Sequence, residues 1–150
     1  MISEEVLQYE EAFAGLVATP FARTFWKGRV ALYAILRTLE IGHEDEVILP
    51  AFTCVVVPNA VRFAGATPVY ADIVPGGYNL DPAGVERAVT PRTRAIIVQH
   101  TFGIPADLDP LLEIARRHGL AVIEDCAHSL GSEYRERGVG TFGLAAFFSS

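Results

Sequence analysis

Lysine, cysteine and long apolar runs are all scarce in this 150-residue chain. The two cysteines, Cys54 and Cys126, lie far apart and outside any CxxC pair. That argues against a disulfide framework and makes a reducing cytoplasm the expected compartment. No apolar stretch approaches the roughly 20 residues needed to cross a bilayer. The first residues, Met1 to Glu11, have neither a basic n-region nor an apolar h-region and do not read as a signal peptide. Twelve basic residues face eighteen acidic ones, for a net charge of −6. Without a basic run or an aromatic-basic stripe there is no electrostatic footprint for nucleic acid. His43, His100, His118 and His128 lack the spacing of a metal-ligand set, so no metal centre is predicted.

What is present is globular: 51 % of residues are hydrophobic and 20 % charged, enough for one real core. Short apolar runs recur at Val47–Leu49, Pro68–Tyr70, Ala95–Val98, Ala121–Ile123 and Ala145–Phe148. Several are apolar throughout, as expected of strands covered on both faces. Helical patterns lie between most of them. Leu32, Ile35, Leu36 and Leu39 follow a helical repeat, with Gly42 as the predicted stop. Asp81-Pro82 and Asp109-Pro110 both read as an N-cap followed by proline at the first helical position. The second of these helices places Leu111, Ile114 and Ala115 on one face and ends in Arg116, Arg117, His118 and Gly119. Strands alternating with helices predict a three-layer α/β fold, a mostly parallel sheet with helices on both faces. The chain stops at the edge of an apolar strand, Phe147-Phe148-Ser149-Ser150, which reads as truncation.

Three segments are candidates for chemistry. Val122–Ser129 is a strand whose carboxyl end delivers Glu124 and Asp125 and then His128, where ligands of open α/β sheets bind. A carboxylate there can pair with a ring nitrogen, a metal or a ribose; equally, Asp125 can cap the next turn and His128 can be a surface residue. Lys27-Gly28-Arg29 opens the Leu32 helix, and the first N–H groups of a helix form a ready anion site; a basic helix start without ligand fits equally. Gly138–Gly143 matches G-x-G-x-x-G but follows polar residues and leads into a strand, so it is read as a glycine-rich turn and not as a dinucleotide loop. A Cys126/His128 catalytic pair is disfavoured, because near neighbours in a turn seldom face one another.

Taken together, these stretches resemble the DegT/DnrJ/EryC1/StrS sugar aminotransferases, pyridoxal 5′-phosphate (PLP) enzymes of fold type I. The match runs through Gly28–Leu32, Asp45–Thr53, Gly65–Val69, Ile96–Gly103, Pro105–Asp107, Ile123–His128 and Val139–Gly143, nearly the whole chain in order. The resemblance implies that residues 1–150 are the N-terminal part of the PLP-binding large domain, with its remainder and the small domain absent. It implies that Asp125 pairs with the pyridine nitrogen, that His128 touches the ring hydroxyl, and that Gly28, Arg29 and Ser149 hold the phosphate. The implied reaction is transfer of an amino group from glutamate or a similar donor to a keto-sugar nucleotide, in a homodimer.

This chain departs from the family pattern in four ways. The phosphate loop usually reads Ser-Gly-Thr, against Lys27-Gly28-Arg29 here. Cys54 stands where relatives often place an aromatic that stacks on the cofactor ring, and Leu144 stands for the usual aspartate. The Schiff-base lysine belongs beyond Ser150; Lys27, the only lysine present, sits in the phosphate loop. These residues alone are therefore predicted to be inactive and marginally stable. Three other functions stay open: a sugar dehydratase of the same family with histidine in place of the lysine, a non-catalytic PLP- or ligand-binding remnant, and, least favoured by its misplaced fingerprint, a Rossmann-type nucleotide binder.

Overall fold

A computed structural model describes residues 2–149. Five strands, β1 (Glu46–Pro50), β2 (Thr67–Ala71), β3 (Thr93–Gln99), β4 (Ala121–Asp125) and β7 (Ala145–Phe147), form one sheet in the order β2-β1-β3-β4-β7. All its neighbouring pairs are parallel. The two-residue strands β5 (Glu133–Tyr134) and β6 (Arg137–Gly138) make a separate hairpin. Its turn holds Arg135 and Glu136 at φ 50° and 63°, the conformation a right-twisted two-residue turn demands.

Every predicted apolar run is a strand of the main sheet. The alternation along each strand divides the core in two. Val47, Leu49, Ala95, Ile97 and Ile123 meet α2 (Gly28–Thr38) and α3 (Val56–Phe63) through Leu32, Leu36, Val57 and Val61. Ile48, Ile96, Val98 and Val122 meet α4 (Pro82–Ala88) and α5 (Leu108–His118) through Val85, Leu108, Leu111 and Ile114. The three-layer α/β arrangement is therefore present, with the parallel sheet between two helical layers.

Three local expectations are corrected. α2 does not run on to Gly42: it ends at Thr38, and Glu40 takes the left-handed turn at φ 57°. Gly42 instead gives its N–H to the Asp45 carboxylate at 3.0 Å. α5 starts at Leu108 with Asp107 at its cap, so Asp109 and Pro110 lie inside its first turn. Proline is tolerated there because first-turn N–H groups have no helical acceptor. Phe148 lies beyond β7; its ring packs edge-on against Phe13 at 5.3 Å. The Asp81 cap is as predicted, its carboxylate accepting the N–H groups of Ala83 and Gly84 at 3.1 Å each.

Two helices have no counterpart in the sequence reading. α1 (Glu4–Leu16) is tethered by buried Glu10, which accepts the Thr24 N–H at 2.7 Å and its hydroxyl at 2.9 Å. α3 is rich in β-branched residues and contains Pro58, so its run looks strand-like.

Candidate active site at the carboxyl edge of the sheet

From β1 the chain steps to β2 on one side and then returns to β3 on the other. The crevice at such a reversal, beyond the carboxyl ends of the strands, is where open α/β sheets bind ligands. Asp125 ends β4 on this edge and is 4 % exposed. Its Oδ1 accepts the Ala127 N–H at 3.1 Å, while Oδ2 accepts from no protein group among the described residues. Burial pushes the Asp125 carboxyl above its ordinary pKa, against the opposing effects of the Ala127 N–H, His128 and His100. These surroundings suit a carboxylate that acquires a cationic partner.

Gly28 and Ser149 are brought together one strand away. Asp125 is in register with Phe147 on β7, and Cys126 donates its N–H to the Phe147 carbonyl at 2.9 Å. Two residues on, Ser149 lies against the start of α2, where a Cβ on Gly28 would stand 3.0 Å from the Ser149 Cβ and 3.3 Å from its Oγ. The first turn of α2 has no acidic residue and no side-chain cap. Val30 and Ala31 donate to the Lys27 carbonyl, and the N–H groups of Gly28 and Arg29 meet no protein acceptor among the described residues. Uncapped N–H groups, a serine hydroxyl and a glycine that keeps the approach open fit a phosphate group.

The other candidates are arranged differently. The Arg29 side chain is exposed and lines a groove of about 550 Å³ between α2 and α3, with Val30, Tyr33, Val56, Asn59 and Phe63. Cys54 is exposed in the turn between β1 and α3 and supplies no ring. The His128 imidazole is exposed and runs parallel to the Phe102 ring in an offset stack, centroids 5.7 Å apart and planes 7° apart. Cys126 is buried, its thiol pushed up chiefly by desolvation, which leaves it no nucleophile. Leu144 is exposed, and nothing in the structure explains why it replaces an aspartate.

The sequence reading missed two constellations. One is an aromatic wall on the same edge: Phe52 and Tyr78 are 6.0 Å apart, and Phe102 meets them edge-on at 6.3 and 5.3 Å. The other is Glu124, fully buried beneath Asp125's strand end. Its carboxylate accepts the N–H groups of Gly140, Phe142 and Gly143 at 2.7 Å each and meets His100 Nε2 at 3.0 Å. His100 Nδ1 accepts the Ala106 N–H at 3.1 Å, which leaves the ring proton on Nε2, facing Glu124. The G-x-G-x-x-G turn thus does grip an anion, but the anion is the protein's own. His100, Glu124 and Cys126 also form a buried triad of metal-ligand type; the histidine nitrogens and the carboxylate are already spent on these hydrogen bonds.

Residues 1–150 match the DegT/DnrJ/EryC1/StrS aminotransferase family. The chain is 45 % identical over 140 residues to a UDP-N-acetyl-3-dehydro-α-D-glucosamine 3-aminotransferase of Acidithiobacillus ferrooxidans, covering 93 % of this chain and 38 % of that protein. It is 43 % identical to a GDP-perosamine synthase of Caulobacter vibrioides, covering 96 % of this chain and 39 % of the relative. A Streptococcus pneumoniae protein solved in its PLP form superposes with a TM-score of 0.95 at 28 % identity, over 98 % of this chain and 41 % of that one. The chain thus spans about two fifths of the length of these relatives.

Proposed function

The chain belongs to the DegT/DnrJ/EryC1/StrS aminotransferase family, and from that membership we propose that it forms the N-terminal part of the PLP site of a sugar aminotransferase. The observation that carries the reading is the meeting of Gly28 and Ser149 at the open start of α2, one strand from buried Asp125. The phosphate is held by the N–H groups of Gly28 and Arg29 and by the Ser149 hydroxyl. Asp125 pairs with the protonated ring nitrogen, the cationic partner that its buried carboxyl otherwise lacks. His128 meets the ring hydroxyl. Cys54 leaves its face of the ring without an aromatic partner.

PLP, when bound, supplies the electron sink for the amino transfer. The acceptor is a keto-sugar nucleotide and the donor an amino acid, in keeping with nucleotide-sugar relatives such as the Acidithiobacillus and Caulobacter proteins. The active form is a cytoplasmic homodimer. Its Schiff-base lysine, the rest of the large domain and the small domain come from sequence outside these 150 residues, so this chain alone is inactive.

The test is an Asp125→Ala substitution in the polypeptide extended through that lysine. Amino transfer from glutamate to a keto-sugar nucleotide is expected to lose roughly 10²- to 10⁴-fold in kcat/KM, the range for loss of one essential proton-holding group. Turnover unchanged by the substitution would overturn the assignment.

A further inference from the structure

Phe102 combines two costs that its edge-on contacts with Phe52 and Tyr78 offset only in part. Its backbone sits at φ 55°, ψ 30°, a conformation that bulky L-residues adopt only where the surroundings over-determine it. Its ring is also 61 % exposed, so the strain gains little core burial.

The surroundings are well defined. The Thr101 N–H donates to Asn79 Oδ1 at 2.9 Å and its hydroxyl to the Tyr78 carbonyl at 3.2 Å. Gln99 Nε2 reaches Thr101 Oγ1 at 2.8 Å, and the Thr53 hydroxyl donates to Gln99 Oε1 at 2.5 Å. On the far side, the Ser132 hydroxyl holds the Gly103 carbonyl at 2.9 Å. The carboxyl ends of β1 and β3 are thereby tied to one another and to the turn carrying Phe102. Besides edge-on contacts with Phe52 and Tyr78, the turn gives the Phe102 ring a near-parallel stack with His128. The His128 imidazole makes no hydrogen bond among the described residues, so this stack is what sets its plane.

We infer that Phe102 is a positioning residue, held in a strained turn so that its ring fixes the His128 imidazole in one plane beside Asp125, where it can meet an acidic ring hydroxyl. The inference rests on the proposed role of His128 at the cofactor and assigns a function to a residue outside that reading. Stacking removes rotation about the last side-chain torsion while leaving both ring nitrogens free at the edge.

The test uses the protein extended through its Schiff-base lysine and loaded with PLP. The readouts are the PLP dissociation constant and the pH midpoint of its visible absorption change. Phe102→Asn keeps a residue that tolerates the left-handed backbone and removes the ring. It is expected to weaken PLP about three- to tenfold, the scale of one aromatic pair, and to move the midpoint. Phe102→Tyr is expected to restore both. In a His128→Ala background, Phe102→Asn is expected to add nothing. Unchanged affinity and midpoint in Phe102→Asn, or an effect that adds in full to His128→Ala, would overturn the inference. If His128→Ala alone leaves both readouts at the wild-type value, the cofactor role of His128 fails, and the positioning role falls with it. A melting curve for each variant separates loss of fold from loss of positioning.

Discussion

At Glu124 a fully buried carboxylate is kept in its charged form by its neighbours. Burial alone raises its pKa, but the hydrogen bonds from His100, Gly143 and Gly140 outweigh that, and the net shift is downward. A carboxyl whose folded pKa is lowered stabilises the fold above its unfolded pKa, and that contribution is lost as pH falls through the folded value. Glu124→Gln replaces one acceptor oxygen with an NH₂ group among donors, at the side facing either the glycine turn or His100. It is expected to cost about 3 kcal/mol or more at neutral pH. The corresponding fall in melting temperature is about 6 °C or more for a chain of this size. The gap from wild type is expected to narrow in acid, as wild-type Glu124 itself becomes protonated. Melts at neutral and acidic pH check both points, and a constant gap would rule out the carboxylate's charge as the source.

At the scale of elements, the turn after β6 and the strand it feeds act as one unit. Glu124 on β4 holds the N–H groups of Phe142 and Gly143, and Leu144 donates its N–H to the Val122 carbonyl at 2.8 Å. A Cβ on Gly143 would lie 2.6 Å from that same carbonyl oxygen. That oxygen, like the Ala145 carbonyl at 3.3 Å, is backbone and not a flexible side-chain tip, so Gly143→Ala must push β7 away from β4. The expected cost is about 2 kcal/mol or more. Hydrogen exchange at the Leu144 amide is expected to quicken more than at Ile97 in the middle of β3, because the strain is local to the β4–β7 pair. Equal protection at both sites in the variant would contradict this. The consequence reaches the site, since β7 leads to Ser149 and thus to the start of α2.

Across the whole molecule, large apolar side chains remain on the surface: Trp26 is 86 % exposed, Phe63 81 % and Phe21 70 %. Phe63 also lines the α2–α3 groove with Tyr33 and Val30. Exposed apolar surface of this kind marks interfaces or aggregation risk. The 150-residue chain is therefore expected to self-associate at micromolar concentration in sedimentation velocity experiments. Phe63→Asp is expected to shift it toward monomer, since a buried unpaired charge opposes the apolar contact. A wild-type chain that sediments as monomer throughout that range would show that the groove is covered by nothing from a second copy.

The strands, their order of appearance and the two-layered helix cover were legible in the sequence because short apolar runs with helical patterns between them admit few other folds. The Asp81 cap and the end of α5 at Gly119 were legible too, since both follow from local chemistry. Asp125 and the Gly28 turn could be named from pattern and resemblance. The resemblance put both, with Ser149, on one cofactor, but local pattern could not bring them together, because the pairing of β4 with β7 is a long-range choice. α3 was hidden because a run of valines has strand propensity, and only the sheet face beneath Val57 and Val61 makes a helix the better burial. The strain at Phe102 and the partners of Glu124, which the strand pattern had named only as an acid, were hidden for the same kind of reason. A strained φ and a charge satisfied by three amides of a distant turn are decided by tertiary contacts that no local pattern encodes.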